Sequence, residues 1–415
     1  MLLIAAALVC VDCHRDVVEQ YALTAMANTS GQVRAASETP GKVGLYTVTP
    51  DLRLVWPGAE VQLSFFIGSR RMGRSFAFQF LQGLYQVPIG YYANRRVWDM
   101  APGYEHDAAP DLSRPITTDC LFCHATRATL EPNTLNRYRE IVAGIQCVRC
   151  HGESTDHSAL VNPRKLPARL RDSICEQCHL AGEVRLAQPG KKVEDFVPGD
   201  DLADFIEVFT SGRKGVAVNG HADALARSRC KQESGDRLWC GTCHSPHRRT
   251  NNYAAVCRSC HETPHKDSDC ISCHMPKAKA YDGGHTVFTD HSISGVSGQD
   301  LASYFRRQPS DRNLGLAYVR LASTRHDSNY LDRAWPLLRV AAADDRRDPE
   351  LYFEIANVLA AAGRKQLAIE YYRRSLRQDP LQPDALLKLA SLLDSFAEAR
   401  ELRAKASRIL PVPYK

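Results

Sequence analysis

The chain has 415 residues, which suggests two or three domains. Its 44% hydrophobic and 24% charged residues are ordinary for a soluble protein, and a net charge of +6 is too small to argue for a nucleic-acid binder. Fifteen cysteines are not ordinary: a cytosolic enzyme of this size rarely carries so many unless they hold something.

In chain order, residues 1–9 (MLLIAAALV) are apolar but too short to span a bilayer, and they resemble the tail of a signal peptide or a truncated start. No transmembrane segment is expected. Residues 10–291 form the cysteine-bearing domain. Within it, residues 42–98 read as a small β-rich insertion, because SFAFQF alternates at period two and GLYQVPIGYY follows a turn. Residues 292–313 are polar and contain Gly and Ser, as a linker would.

From residue 314 to 411 the pattern is helical with a period of 34. Tyr318, Tyr352 and Leu386 recur at that spacing, as do Leu321, Ile355 and Leu389, each followed by Ala322, Ala356 or Ala390. Gly363 turns between helices and Pro380 closes a repeat. This is the template of about three tetratricopeptide repeats, six short helices in all. The fold class expected is therefore mainly α: a cofactor-packed domain with little regular structure and a β-rich insertion, followed by a helical-repeat domain.

Fourteen of the cysteines fall in seven C-x-x-C pairs, each followed at once by histidine. The pairs are Cys10/Cys13 with His14, Cys120/Cys123 with His124, Cys147/Cys150 with His151, and Cys175/Cys178 with His179. Then come Cys240/Cys243 with His244, Cys257/Cys260 with His261, and Cys270/Cys273 with His274; Cys230 stands alone. C-x-x-C-H is the attachment motif of c-type haem. Two intervening residues put both sulfurs on one side of a short turn, ready to bond the two vinyl groups, and the next residue aims its imidazole at the iron. Zinc ribbons, thioredoxin-like pairs and disulfides do not require a histidine after every pair. With 15 histidines in 415 residues, seven such hits by chance have a probability of about 10⁻¹⁰. The expected cofactors are seven c-type haems, with those seven histidines as proximal ligands. Propionates and ferric cores then bring the net charge to about −1.

Eight histidines remain, and His326 lies among the repeats. The other seven match seven irons: His106, His157, His221, His247, His265, His285 and His291 are candidate distal ligands. Asp290 stands ready to orient His291. Met26 and Met72 are rival distal ligands, and plain core filling is the alternative for both. Residues 120–291 offer about 170 residues for six haems, too little chain for a conventional apolar core, so the porphyrins themselves are expected to be the core.

The motifs IGSRRMGRSF (67–76), GLYQVPIGYY (83–92), WDMAPGY (98–104), RPITTDCLFCH (114–124), GIQCVRCHGESTDH (144–157), VNPRKL (161–166), SICEQCHLAGE (173–183), ARSRC (226–230), CGTCHSPH (240–247), CISCHMPKA (270–278) and HTVFTDHSI (285–293) resemble a known family. It is that of multihaem cytochromes c with C-terminal tetratricopeptide repeats, related to the tetrahaem electron acceptors of hydroxylamine oxidoreductase. The resemblance covers nearly the whole chain. It implies electron transfer through stacked haems in the periplasm or at the cell surface, and it supports His157, His221, His247 and His291 as distal ligands. Relatives often carry histidine where this chain has Met26, and sometimes where it has Met72, which leaves the ligation at one or two irons open.

Two functions follow. One is an electron conduit whose repeats dock a redox partner protein or another copy of the chain, as a homo-oligomer or filament. The other is a multihaem oxidoreductase acting on a small nitrogen or sulfur oxyanion or on hydroxylamine, which needs an iron with an open position. The C-x-x-C-K signature of nitrite reductases does not occur, and no catalytic residue is assigned. Haem is attached to C-x-x-C-H outside the cytoplasmic membrane, so export to the periplasm or cell surface is expected.

Overall fold

The computed structural model describes residues 3–35, 38–69, 71–105, 107, 111–211, 215–249, 252–261, 269–284, 286–293, 301–344 and 347–413. The chain opens with helix α1 (Leu3–Ala22), whose backbone breaks at His14 (φ −120°, ψ 37°).

Eight antiparallel strands follow: β1 (Ser30–Gln32), β2 (Gly41–Val43), β3 (Tyr46–Val48), β4 (Arg53–Trp56), β5 (Ala59–Ile67), β6 (Arg74–Phe80), β7 (Gly83–Tyr92) and β8 (Val97–Met100). Seven of them pair in chain order from β2 to β8, and β1 adds to β5. The β-rich region expected over 42–98 is present. Leu81 and Gln82, both with positive φ, make the tight β6–β7 turn. Trp98 ties β8 to the other edge of the sheet: its Nε1 donates to the Thr39 carbonyl at 2.9 Å, and its ring lies where a Cβ on Gly41 would stand. The core between the faces is Val48, Leu54, Leu63, Phe76, Phe78, Tyr85, Val87 and Ile89. Strand β7 is buried along most of its length rather than alternately, because residues 114–116 lie along its other side. There Gln86 N–H donates to the Arg114 carbonyl and Ile116 N–H to that of Leu84, both at 2.9 Å.

From residue 118 the elements shorten. They are α2 (Thr118–His124), the hairpin β9 (Ala125–Leu130) and β10 (Tyr138–Ala143), α3 (Val148–His151), α4 (Ala168–His179), β11 (Val184–Ala187) and β12 (Ile206–Thr210). Helices α5 (His221–Ala226), α6 (Arg229–Ser234), α7 (Cys240–Cys243), α8 (Tyr253–Arg258) and α9 (Cys270–His274) follow, with the hairpin β13 (Lys277–Lys279) and β14 (Val287–Thr289). Short strand β15 (Ala302–Ser303) joins the far edge of β12.

Six helices complete the described chain: α10 (Asp311–Arg325), α11 (Asn329–Asp344), α12 (Pro349–Ala361), α13 (Lys365–Gln378), α14 (Pro383–Leu392) and α15 (Phe396–Ile409). The residues repeating at period 34 face inward: Leu321, Ile355 and Leu389 are buried, as are Ala356 and Ala390. His326 at φ +52° ends α10, and Gly363 at φ +71° makes the α12–α13 turn. The helices share one apolar core with the preceding domain, for Val184, Leu186 and Phe209 of β11 and β12 belong to the cluster of Leu316, Leu338 and Leu351. Buried Arg312 bonds Asp348 at 2.6 Å and the Ala187 carbonyl at 2.7 Å. Arg325 pairs with Glu183, whose side chain is 7% exposed. At the far end the Tyr85 hydroxyl donates to the Pro411 carbonyl.

Candidate functional site

Six of the seven motifs lie on or at the end of a short helix, and the first lies in α1 at its break. In α2, Cys120 and Cys123 bracket buried Leu121 and Phe122, and in α4, Cys175 and Cys178 bracket buried Glu176 and Gln177. One turn of helix thus presents two thiols on one side, with the imidazole following. None of the fifteen cysteines is in a disulfide.

Cys13, Cys260 and Cys273 are exposed, whereas the other motif cysteines are half-buried. The histidines that follow these three, His14, His261 and His274, are exposed as well. Cys13 stands beside the break in α1, Cys260 lies just past the end of α8, and Cys273 is on the five-residue α9. Among the described motif sulfurs, Cys123, Cys150, Cys175, Cys178 and Cys240 lie deepest in the protein.

The motifs sit beside one another in an order unlike their order in the chain. A hydrogen bond to Cys178, together with burial, pushes the Cys123 thiol up, and Cys175 is raised in the same way by Cys240. Burial and the neighbouring Cys10 raise Cys147, while Cys257 lies near both Cys243 and Cys270. The motif of His14 therefore adjoins that of His151, and the motif of His179 adjoins those of His124 and His244. The last three follow in series. Cys230, on α6, lies near Cys243 and Cys257.

The histidines come together in pairs. His14 and His157 are stacked with ring centroids 6.2 Å apart and 20° between planes; His151 and His247 are 5.8 Å apart at 14°. His244 and His291 are 6.2 Å apart at 32°, and His179 and His221 are 5.4 Å apart at 82°. His221 also stands 4.9 Å from His291. A metal bonded to two imidazoles at about 2 Å each holds the ring centroids about 6 Å apart. The pairs thus stand at a spacing from which two imidazoles could hold one iron, closely for three and somewhat short for His179 and His221. Two thiols, a following imidazole and a second imidazole opposite form a donor set that fits c-type haem.

Backbone groups orient several of these rings. His151 Nδ1 meets the Val161 carbonyl at 2.8 Å and His291 Nδ1 the Thr289 carbonyl at 2.9 Å. A carbonyl only accepts, so each Nδ1 carries the proton and each Nε2 is left bare to bind metal. Asp290, expected to orient His291, instead accepts from Ser292 N–H at 2.8 Å. His124 Nδ1 is 2.7 Å from the Thr29 hydroxyl. Burial favours the neutral, ligating form: it pulls His124 down to about 4 and His221 to about 3. Near the motifs, buried His221 Nδ1 and Arg149 Nε have no hydrogen-bond partner among the described residues.

His106, His265 and His285 lie outside the described residues. Met26 and Met72 are placed by backbone contacts: the Met26 carbonyl accepts from Ile145 N–H at 3.0 Å, and that of Met72 from Ala93 N–H at 3.0 Å. Residues that sequence reasoning left unassigned are Thr29, Val161 and Thr289, which orient rings. No local pattern announces a carbonyl acceptor, so no signal could have found the latter two.

Residues 100–152 match the family model of cytochrome c554 and c-prime, and residues 349–392 match that of the tetratricopeptide repeat. No curated protein matches the chain in sequence. Among solved structures the chain is similar to the outer cell wall cytochrome OcwA, at 14% identity over 97% of this chain and 98% of that one, with a TM-score of 0.43. Both matches agree with the motifs found in the sequence: the first spans a C-x-x-C-H pair complete within 120–124 and another within 147–151, and the second lies in the helical repeats. No described helix is long and apolar enough to cross a membrane.

Proposed function

We propose that this chain, a multihaem c-type cytochrome with tetratricopeptide repeats, conducts electrons along seven covalently held haems outside the cytoplasmic membrane. The observation that carries this reading is the set of histidine pairs at axial-ligand spacing, His14 with His157, His151 with His247, His179 with His221 and His244 with His291. When bound, each haem supplies a one-electron ferric–ferrous couple. The chain would hold each haem through two thioethers to its vinyl groups and one imidazole on the iron, would offer a second imidazole at four motifs, and keeps rings such as His179 and His221 neutral. Saturating an iron with two imidazoles suits transfer without bond making. The adjacency of the motifs supports a path from His14 through His151, His179, His244 and His261 to His274, with the motif of His124 as a branch beside His179.

Intact mass tests the count. Seven haems add roughly 4.3 kDa to the exported polypeptide, and a mass equal to polypeptide plus zinc would sink the reading. The repeats are assigned to holding a redox partner or a second copy beside the haem domain, because stacked helix pairs leave an extended binding surface.

The second reading is an oxidoreductase working at one open iron. Carbon monoxide, nitrite and hydroxylamine distinguish the two. A spectral change at one haem with turnover of nitrite or hydroxylamine favours the enzyme, and no change with any of the three favours the conduit.

A further inference from the structure

Glu176 sits between the two cysteines of the fourth motif and is 5% exposed. At the two intervening positions of the other motifs the acidic residue is Asp12 alone, which is exposed. Both oxygens of Glu176 are engaged. Arg169, two turns earlier on α4, donates to Oε2 at 2.6 Å, and the Tyr304 hydroxyl donates to Oε1 at 2.7 Å. Phe305 stacks on the guanidinium of Arg169 at 4.5 Å. Beyond Arg169 the charges continue outward through Asp201, at 2.9 Å, and Arg307. Asp172, one turn before Glu176 on the helix, is matched by Arg171 and Lys231.

A buried carboxylate at this place is expensive, and an uncharged residue would hold the helix as well. Its position gives it a use. It follows Cys175 directly and precedes His179 by less than one helical turn, so its charge acts on the iron of that motif through protein rather than water. A ferric haem core carries one more positive charge than a ferrous one, so a fixed negative charge beside it favours the ferric form and lowers the potential.

We infer that Glu176 sets the reduction potential of the haem attached at Cys175 and Cys178, holding it low at the junction where the motifs of His124 and His244 adjoin it, with Tyr304 moderating the charge. The inference rests on the proposed haem at that motif. It also makes the potential of the junction dependent on residues 304–305, which lie just before the repeat helices.

The test is a redox titration of the full seven-haem protein at pH 8, because burial raises the Glu176 carboxyl while Arg169 and Tyr304 oppose that shift. Glu176→Gln, which keeps shape and removes charge, shifts the ferric–ferrous equilibrium of one haem about tenfold toward ferrous, about 59 mV upward for one electron. Glu176→Asp, which keeps the charge, stays within about threefold of wild type. Tyr304→Phe leaves the charge undiluted and shifts the same component the other way, by about threefold. Haem content and low-spin spectra are measured on the same samples. A tryptic peptide carrying Cys175 and Cys178 without haem would overturn the haem assignment itself. Haem present with every potential unmoved by Glu176→Gln would overturn only the role of Glu176. If Glu176→Gln does not accumulate, Tyr304→Phe decides: a shift toward ferric supports the inference, and no shift or one toward ferrous overturns it.

Discussion

His247 stands 5.8 Å from His151, ring to ring and 14° from parallel, although the motif nearest to it in the chain ends at His244. His244 is opposed instead by His291, at 6.2 Å. The second imidazole is thus delivered across the fold to another segment's motif. Each iron would then cross-link two parts of a chain with few long elements of its own in this region.

This crossing makes a mutational pairing testable. Replacing His247 by alanine is expected to convert one haem of the seven to high spin, and the haem affected is that of Cys147 and Cys150. In a background with both of those cysteines changed to alanine, adding His247→Ala produces no further high-spin signal. If the double background still gains one, the pairing with His151 is wrong. Electron paramagnetic resonance of the ferric protein reads both cases.

Acid acts on the network outside Glu176. Burial alone raises the Asp201 carboxyl, but the Ala203 N–H and Arg169 outweigh it and hold it below the usual aspartate range. A carboxyl depressed on folding contributes stability that is fully present above the unfolded value and lost as pH falls through the folded one. Asp201→Asn therefore lowers the thermal midpoint at pH 6 to 7, and the gap between variant and wild type closes as pH drops below about 4. Thermal scans at several pH values check it; a gap independent of pH down to 3 contradicts the ion-pair account.

The sheet closes on a contact that leaves no room. A Cβ on Gly41 would lie 2.1 Å from Cδ1 of Trp98, inside the ring's own volume. Gly41→Ala must displace the indole from the Thr39 carbonyl and from Phe76, whose ring it meets at 5.0 Å. The expected cost is about 1–3 kcal/mol, seen as a lower thermal midpoint and a shift of tryptophan emission to the red, with haem content unchanged.

How much of this was legible beforehand depended on the range of each interaction. The strands of 42–98 and the helices of the repeats show in the sequence because their signals are local: SFAFQF alternates, and Leu321, Ile355 and Leu389 recur every 34 residues and are all buried. The motifs name their sulfurs because the attachment chemistry fixes the spacing. That spacing says nothing of burial, which other segments supply, so exposed Cys13, Cys260 and Cys273 read the same in sequence as the packed Cys178. Which imidazole faces which is likewise a property of segments far apart, such as His14 and His157, and no periodicity encodes it. Asp290 misled for the same reason: adjacency in sequence suggested a partner for His291, and the ring turned to the Thr289 carbonyl instead. Tyr304 lies beyond residue 292, in a stretch whose polar composition suggests a linker, yet its hydroxyl reaches Glu176 across 128 positions.

The shared core between β12 and the repeats carries the last prediction. Phe209 is fully buried and packs in one cluster with Leu316, Leu338 and Leu351, so the apolar face of α10 is covered partly by the haem-bearing domain. A repeat array that merely hung from a linker would unfold on its own, whatever happened to β12. Here Phe209→Ala removes a ring from both sides at once and is expected to cost about 3–5 kcal/mol. The loss appears in the repeats as well as in the sheet: hydrogen exchange at α10 and α11 accelerates together with exchange at β11 and β12. Leu389→Ala, deep in the third repeat, costs about 2–5 kcal/mol but leaves exchange at β11 and β12 near wild type, because helices transmit stability chiefly to their neighbours. Accelerated exchange confined to β11 and β12 in Phe209→Ala would show that the repeats stand independently, and the docking role would then need no mechanical link to the haem chain.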